Sequence, residues 1–107
     1  MTSKILPVLD EALFSDETVV AMAESFKALG DPTRLRILAL LFRGERGVGD
    51  LAEHLDVSQS AVSHQLRILR NLDMVRYRKA GREVFYTIAD DHVRDILSRT
   101  LEHILYD

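Results

Sequence analysis

The stretch V-S-Q-S-A-V-S-H-Q-L-R-I-L-R-N-L, from Val57 to Leu72, leaves the chain few alternatives. Ser58 stands where a helix should begin, and its hydroxyl can accept from a backbone N–H two or three residues on that the helix itself leaves unsatisfied. Val62, Leu66 and Leu69 recur at i, i+4 and i+7, so one face is apolar and turns toward a core. The other face carries Ser60, Ser63, His64 and Arg67. Short polar side chains near a helix N-terminus let the backbone approach base edges in a major groove, and Arg adds base or phosphate contacts. An ordinary amphipathic surface helix can look the same, so the flanking residues decide.

Upstream, Val48, Leu51, Ala52 and Leu55 mark a short helix that Asp56-Val57 joins almost directly to the Ser58 helix. So tight a connection is the helix-turn-helix pattern. Downstream the period changes from helical to alternating. Val75 and Tyr77 alternate with Arg76 and Arg78, Gly81 supplies a turn, and Val84, Tyr86 and Ile88 alternate with Phe85 and Thr87. This predicts a β-hairpin with one apolar face and with Arg78, Lys79 and Arg82 at its tip. Basic residues there can protect a sheet edge against aggregation. Directly after a helix-turn-helix, they suit the phosphates or minor groove beside the reading helix.

The net charge of −3 conceals this arrangement. Between Ser58 and Arg82 lie six basic residues and one acid, a local charge of +5, while the remainder carries −8. A basic patch on an acidic body is an electrostatic footprint for DNA. With 107 residues and 47% hydrophobic composition, the chain is expected to form one domain spanning 1–107. The absence of Cys excludes a disulfide scaffold, a thiolate metal site and a redox thiol. There is no bilayer-length apolar run and no signal-peptide pattern, which leads us to expect a soluble, cytoplasmic protein with no membrane partner.

The remaining segments read as helices. Ile5, Val8, Leu9, Ala12 and Leu13 have helical spacing, with Pro7 tolerable only in a first turn. Ser15 or Asp16 can cap a second helix with the stripe Val19, Met22, Ala23 and Phe26, which Gly30 stops. So apolar an arm is expected to dock, in a small chain on a second subunit. Asp31-Pro32 opens a further helix whose Leu35, Ile37, Leu38, Leu40 and Leu41 mark it as central and buried, with Gly44 ending it. A last helix runs from Asp91 to about Tyr106, with Val93, Ile96, Leu97, Leu101, Ile104 and Leu105 apolar.

Two segments resemble one family closely: F-K-A-L-G-D-P-T-R-L-R-I-L from Phe26 to Leu38, and L-A-E-H-L-D-V-S-Q-S-A-V-S-H-Q-L-R-I-L-R from Leu51 to Arg70. Both are similar to the ArsR/SmtB winged-helix metalloregulatory repressors, over about Ser15 to His103. The resemblance implies a mainly α, winged helix-turn-helix fold with a β-hairpin wing. It also implies a homodimer that binds operator DNA and loses affinity when an inducer binds. Its groove-contacting positions correspond here to Gln59, Ser60, Ser63, His64 and neighbouring Arg67.

Many relatives hold metal through thiolates ahead of the recognition helix or near the N-terminus. Here the first place reads Gly47-Val48-Gly49, so that site is absent. The last helix instead offers Asp90 and His92, with His103 eleven residues beyond. Eleven residues are close to three turns, so both imidazoles lie on nearly one face, roughly 16 Å apart along the axis. Zinc needs ligands within about 2.0–2.3 Å, so the two cannot share one ion within a chain. Two such helices packed antiparallel about a two-fold axis can pair His92 and Asp90 of one chain with His103 of the other. This resembles the terminal-helix zinc pattern D-x-H-x10-H-x2-(E/H) of the SmtB/CzrA branch in three positions. Tyr106 replaces the fourth, and Asp107, at i+4 from His103, or water can take its place. Asp90 also makes a good helix cap, and a histidine near a helix C-terminus gains from the dipole.

The leading reading is therefore a zinc-responsive repressor, with Co(II) or Ni(II) chemically acceptable at imidazole and carboxylate donors. The alternative is a DNA-binding dimer of the same family answering to another effector or to none. No Gly-rich phosphate loop or nucleophile motif supports an enzyme.

Overall fold

The computed structural model describes Glu11 and residues 15–106. The expected first helix at Ile5 to Leu13 and the candidate ligand Asp107 lie outside the described residues. Five helices and three strands follow in the order α1 (Asp16–Leu29), α2 (Pro32–Phe42), β1 (Arg46–Gly47), α3 (Val48–Leu55), α4 (Gln59–Asn71), β2 (Val75–Ala80), β3 (Glu83–Ile88) and α5 (Asp91–Tyr106). This is a winged helix-turn-helix.

The caps read from the sequence close the helices. Ser15 Oγ accepts from Thr18 N–H at 3.3 Å and Asp31 Oδ2 from Arg34 N–H at 3.0 Å, with Pro32 in the first turn of α2. Ser58 Oγ accepts from Ala61 N–H at 3.0 Å and starts α4. The turn between α3 and α4 depends on Asp56, held left-handed at φ 54°, ψ 48°. Asp and Asn tolerate that conformation better than most residues. Val57 N–H then returns to the Ala52 carbonyl at 3.1 Å, and three residues carry the chain from one helix to the next.

The core lies where α2, α3 and α4 meet the sheet. Ile37, Leu38 and Leu41 from α2, Leu51 from α3, and Leu66 and Leu69 from α4 are all completely buried. Val75, Tyr86 and Ile88 close it from the sheet. The hairpin pairs Val75 with Ile88, Tyr77 with Tyr86 and Ala80 with Glu83, and Gly81, at φ 64°, makes the turn with Arg82. Arg78 and Lys79 thus stand in β2, and only Arg82 of the three expected tip residues is in the turn itself. A third strand, β1, carries no alternating pattern of its own; its two residues pair antiparallel with Tyr86 and Phe85 to make the sheet order β1-β3-β2.

Some of the expected apolar stripes do not point into this core. On α1, Val19, Met22 and Phe26 are exposed, and Ala28 is its buried residue. On α2, expected to be the central buried helix, Ile37, Leu38 and Leu41 are buried but Leu35 is exposed, as is Phe42. On α5 only Val93 is buried, while Ile96, Leu101, Ile104 and Leu105 face outward. Helical periodicity finds an apolar face but not what covers it. The Cα radius of gyration, 15.7 Å, exceeds the roughly 13 Å of a compact domain of this length.

Candidate nucleic-acid interface

Packing of Val62, Leu66 and Leu69 into the core turns the opposite face of α4 outward. Gln59, Ser60, His64 and Arg67 are exposed there and Ser63 is half-buried. The wing folds back toward the beginning of this helix. Gln59 and Ser63 share a cleft of about 460 Å³ with Arg82, Val84 and Phe85 of the wing and with Gly47, Val48 and Gly49 at the start of α3. The structure thus joins two groups that the sequence offered separately, candidate groove-facing residues of α4 and a wing cation. Gly47 and Gly49 belong to the same surface, although the sequence suggested only what they could not ligate. A Cβ on Gly49 would meet the Gln59 side-chain amide at 3.5 Å, so the two helix starts nearly touch.

Arg78 is placed differently. Its guanidinium donates from Nε and Nη2 to the Glu45 carboxylate, both at 2.7 Å, and lies 5.0 Å from the centre of the Phe85 ring. The paired hydrogen bonds lower the Glu45 pKa below its usual 4.5 and raise that of Arg78. A bidentate pair of this kind ties the wing to the loop ahead of β1. The partners are 33 residues apart, and nothing in the local sequence signals the contact. Lys79 and Arg82 are exposed. On α3, Asp50 accepts from Arg46 Nη1 at 2.8 Å, which chiefly lowers its pKa, and His54 Nδ1 lies 3.4 Å from Asp50 Oδ1.

At the head of α5, Asp90 Oδ1 accepts from Val93 N–H at 3.1 Å, so the carboxylate does cap the helix. The same oxygen lies 3.8 Å from His92 Nδ1, and the two side chains are 44% and 94% exposed. Both donors are therefore open to an approaching chain. His103 is exposed on the last turns of the same helix. Among the described residues no three His, Cys, Asp or Glu side chains gather closely enough to hold an ion.

Beside it lies an apolar groove of about 720 Å³, lined by Phe26 and Leu29 of α1, Leu35 and Phe42 of α2, and Ile96, Leu101 and Ile104 of α5. Arg94 fixes the near end of α5 by donating to the Phe42 carbonyl at 3.3 Å and lying 5.1 Å from the Phe42 ring centre. No helix among the described residues is long and apolar enough to cross a membrane.

Comparison with known proteins adds an independent line. Residues 31–77 match the family described as bacterial regulatory protein, arsR family. The chain is 52% identical over 83 residues to a transcriptional repressor SmtB homolog of Synechocystis, covering 78% of this chain and 63% of that protein. It is 42% identical over 92 residues to the HTH-type transcriptional regulator NmtR of Mycobacterium tuberculosis, covering 86% and 77%. Among solved structures it resembles a homodimeric winged helix-turn-helix DNA-binding domain from Mycobacterium bovis, a possible ArsR-family regulator, with TM-score 0.77, 29% identity and coverage of 87% and 93%.

Proposed function

This chain belongs to the arsR family of bacterial regulatory proteins, and on that premise we propose that it is a metal-responsive transcriptional repressor. It binds operator DNA as a homodimer and is released when a divalent metal, zinc in the first instance, binds at the terminal helix. Its relatives are transcriptional regulators rather than enzymes. The observation that carries the DNA reading is the cleft that unites Gln59 and Ser63 of α4 with Arg82 of the wing.

In this reading α4 enters the major groove and presents Gln59, Ser60, Ser63 and His64 to base edges. Arg67, Lys79 and Arg82 meet phosphates on either side. Arg78, already joined to Glu45, contributes by holding the wing in place and by its charge. The exposed apolar residues of α1 and α5 support the dimer, since a monomer seldom leaves so continuous an apolar surface open. Two copies related by a two-fold axis would present two α4 helices at a fixed separation, as an operator with two half-sites requires.

The donors at the ends of α5 suit a divalent ion, because a carboxylate and neutral imidazoles are ligands that zinc accepts. Asp90 and His92 of one protomer with His103 of the partner subunit would hold it, and Asp107 is the candidate for a fourth ligand. When bound there, the metal supplies a crosslink between subunits. The two terminal helices are then held in one relation, and the separation of the two α4 helices with them. If that separation differs from the one DNA needs, linkage lowers operator affinity, typically by about 1–3 kcal/mol, or 5- to 150-fold.

The test is titration of the purified protein against the tightest duplex recovered from a randomised pool, in chelator and then in Zn(II), Co(II) and Ni(II). Tight, salt-dependent binding in chelator that weakens with one of these metals supports the reading. Binding that no metal changes favours the second reading, a family repressor with another effector or none.

A further inference from the structure

Arg34, in the first turn of α2, makes two side-chain bonds to two different helices. Its Nε donates to the Ala28 carbonyl at 2.7 Å, and its Nη1 donates to Gln65 Oε1 at 3.0 Å. Its own backbone N–H is held by the Asp31 cap. The guanidinium is therefore fixed at its root and bridges the end of α1 to the middle of α4. We propose that Arg34 is a positioning residue: through Gln65 it sets the rotation of the reading helix and makes that rotation depend on where α1 lies.

The Ala28 carbonyl belongs to the last turn of α1, where carbonyls lack partners along the helix and a cation is favoured by the dipole. The Gly30 N–H serves Phe26 and Lys27, which leaves the Ala28 carbonyl to Arg34. Gln65 sits at the border of α4, between the exposed His64 and the fully buried Leu66. Contacts of Val62, Leu66 and Leu69 with the core hold the helix down but are non-directional. A planar fork that satisfies two acceptors at once is directional, and it resists roll about the helix axis. Among the described residues, this is the hydrogen bond that ties a side chain of α4 to another helix.

The other side of α1 is the apolar groove, where Phe26 and Leu29 stand opposite Leu101 and Ile104 of α5. Whatever seats in that groove presses on the helix whose last turn Arg34 grips. A shift of α1 thus reaches Gln65, the neighbour of the exposed His64, through one side chain.

The inference rests on the proposed DNA reading, so the experiment carries an arm without DNA. Arg34→Lys keeps the charge but loses the fork, and Gln65→Met keeps the length but loses the acceptor. Each should cut the ratio of affinities for the selected duplex and for a scrambled duplex by about 10-fold, the range of a hydrogen bond to a charged group. The double variant should lose no more than either single one. A purely structural defect would lower both affinities together and leave the ratio intact. In the arm without DNA, Arg34→Lys should shift amide resonances of residues 61–68 in the wild-type background but not in Gln65→Met. Single variants with the wild-type ratio, or losses that add, overturn the proposal. So do Arg34→Lys amide shifts of equal size in both backgrounds. If the wild type fails to distinguish any duplex from scrambled DNA while the amide coupling holds, the DNA reading fails and the mechanical link stands.

Discussion

Ile104 offers a quantitative test of the idea that α5 is a subunit interface. It is 69% exposed in the protomer and lines the groove with Phe26 and Leu101. Full burial of an Ile side chain is favourable by about 1.5–3 kcal/mol, so about 1–2 kcal/mol remains to be gained when a second copy covers the exposed part. Ile104→Ala leaves only the methyl group and forfeits about three quarters of that gain. A two-fold interface contains the residue twice, so the loss is about 1.5–3 kcal/mol per dimer, or about 10- to 150-fold in the dimer dissociation constant. Sedimentation equilibrium over a wide concentration range reads this directly. Circular dichroism melts in the dilute limit provide the control: Ile104 is outside the core, and the monomer should change by no more than about 0.5 kcal/mol. If Ile104→Ala and Leu101→Ala both dimerise like the wild type, the groove is not where subunits meet, and the shared ligand set at the ends of α5 loses its geometric basis.

The other predictions address different parts of the molecule. Leu66→Ala empties a completely buried position and should cost about 2–5 kcal/mol in urea unfolding; a smaller loss would mean that α4 is not anchored as described. Ser63→Ala or His64→Ala should weaken binding to the selected duplex more than to random DNA, by about 1–3 kcal/mol for a good base contact, whereas Arg82→Ala should weaken both alike and flatten the salt dependence. For Glu45 the folded pKa is depressed by Arg78, so its contribution is present above the usual value of 4.5 and is lost as pH falls through the lower folded value. The Nε–H resonance of Arg78 should therefore move in acid below about pH 4.5 and stay flat in Glu45→Gln. Finally, His103→Ala should bind operator in chelator as tightly as the wild type and remain bound when zinc is added; release with unchanged metal affinity would place the sensor elsewhere.

What the sequence revealed and what it concealed separate along a physical line. Caps and turns are local, so Asp31 and Ser58 stand out in the sequence, the choice between Ser15 and Asp16 is narrowed to two neighbours, and the switch from helical to alternating period locates the hairpin. The reading face of α4 followed from its apolar face, because a helix has only one other side. Contacts between distant residues were not legible. Neither the Glu45–Arg78 pair nor the two-residue strand β1 has a local signature, since each depends on how the wing lies against a loop. The stripes on α1 and α5 are apolar in the sequence and exposed in the protomer, because periodicity gives the same pattern for a face buried in its own core and for one that is not. For the terminal helix, spacing placed His92 and His103 on one side, and the structure adds that Asp90 stands beside His92 while capping the helix.

The distribution of burial bears on how the proposed release from DNA would leave the fold undisturbed. Among the described residues the core contains no buried polar or charged side chain. It is made of α2, α3, α4 and the sheet, and among the described residues no acid, base or histidine belongs to it. Among the described residues the terminal helix contributes Val93 to that core, packs Leu97 against it and donates from Arg94 to the Phe42 carbonyl. A sixteen-residue helix that gives one buried residue to the core could shift with little change in the core's packing. Its position is then set by what covers its outer face and by what its exposed donors hold. In the proposed dimer, a change in the angle of α5 at the two-fold axis would alter the distance between the two α4 helices. That distance is what an operator with two half-sites measures.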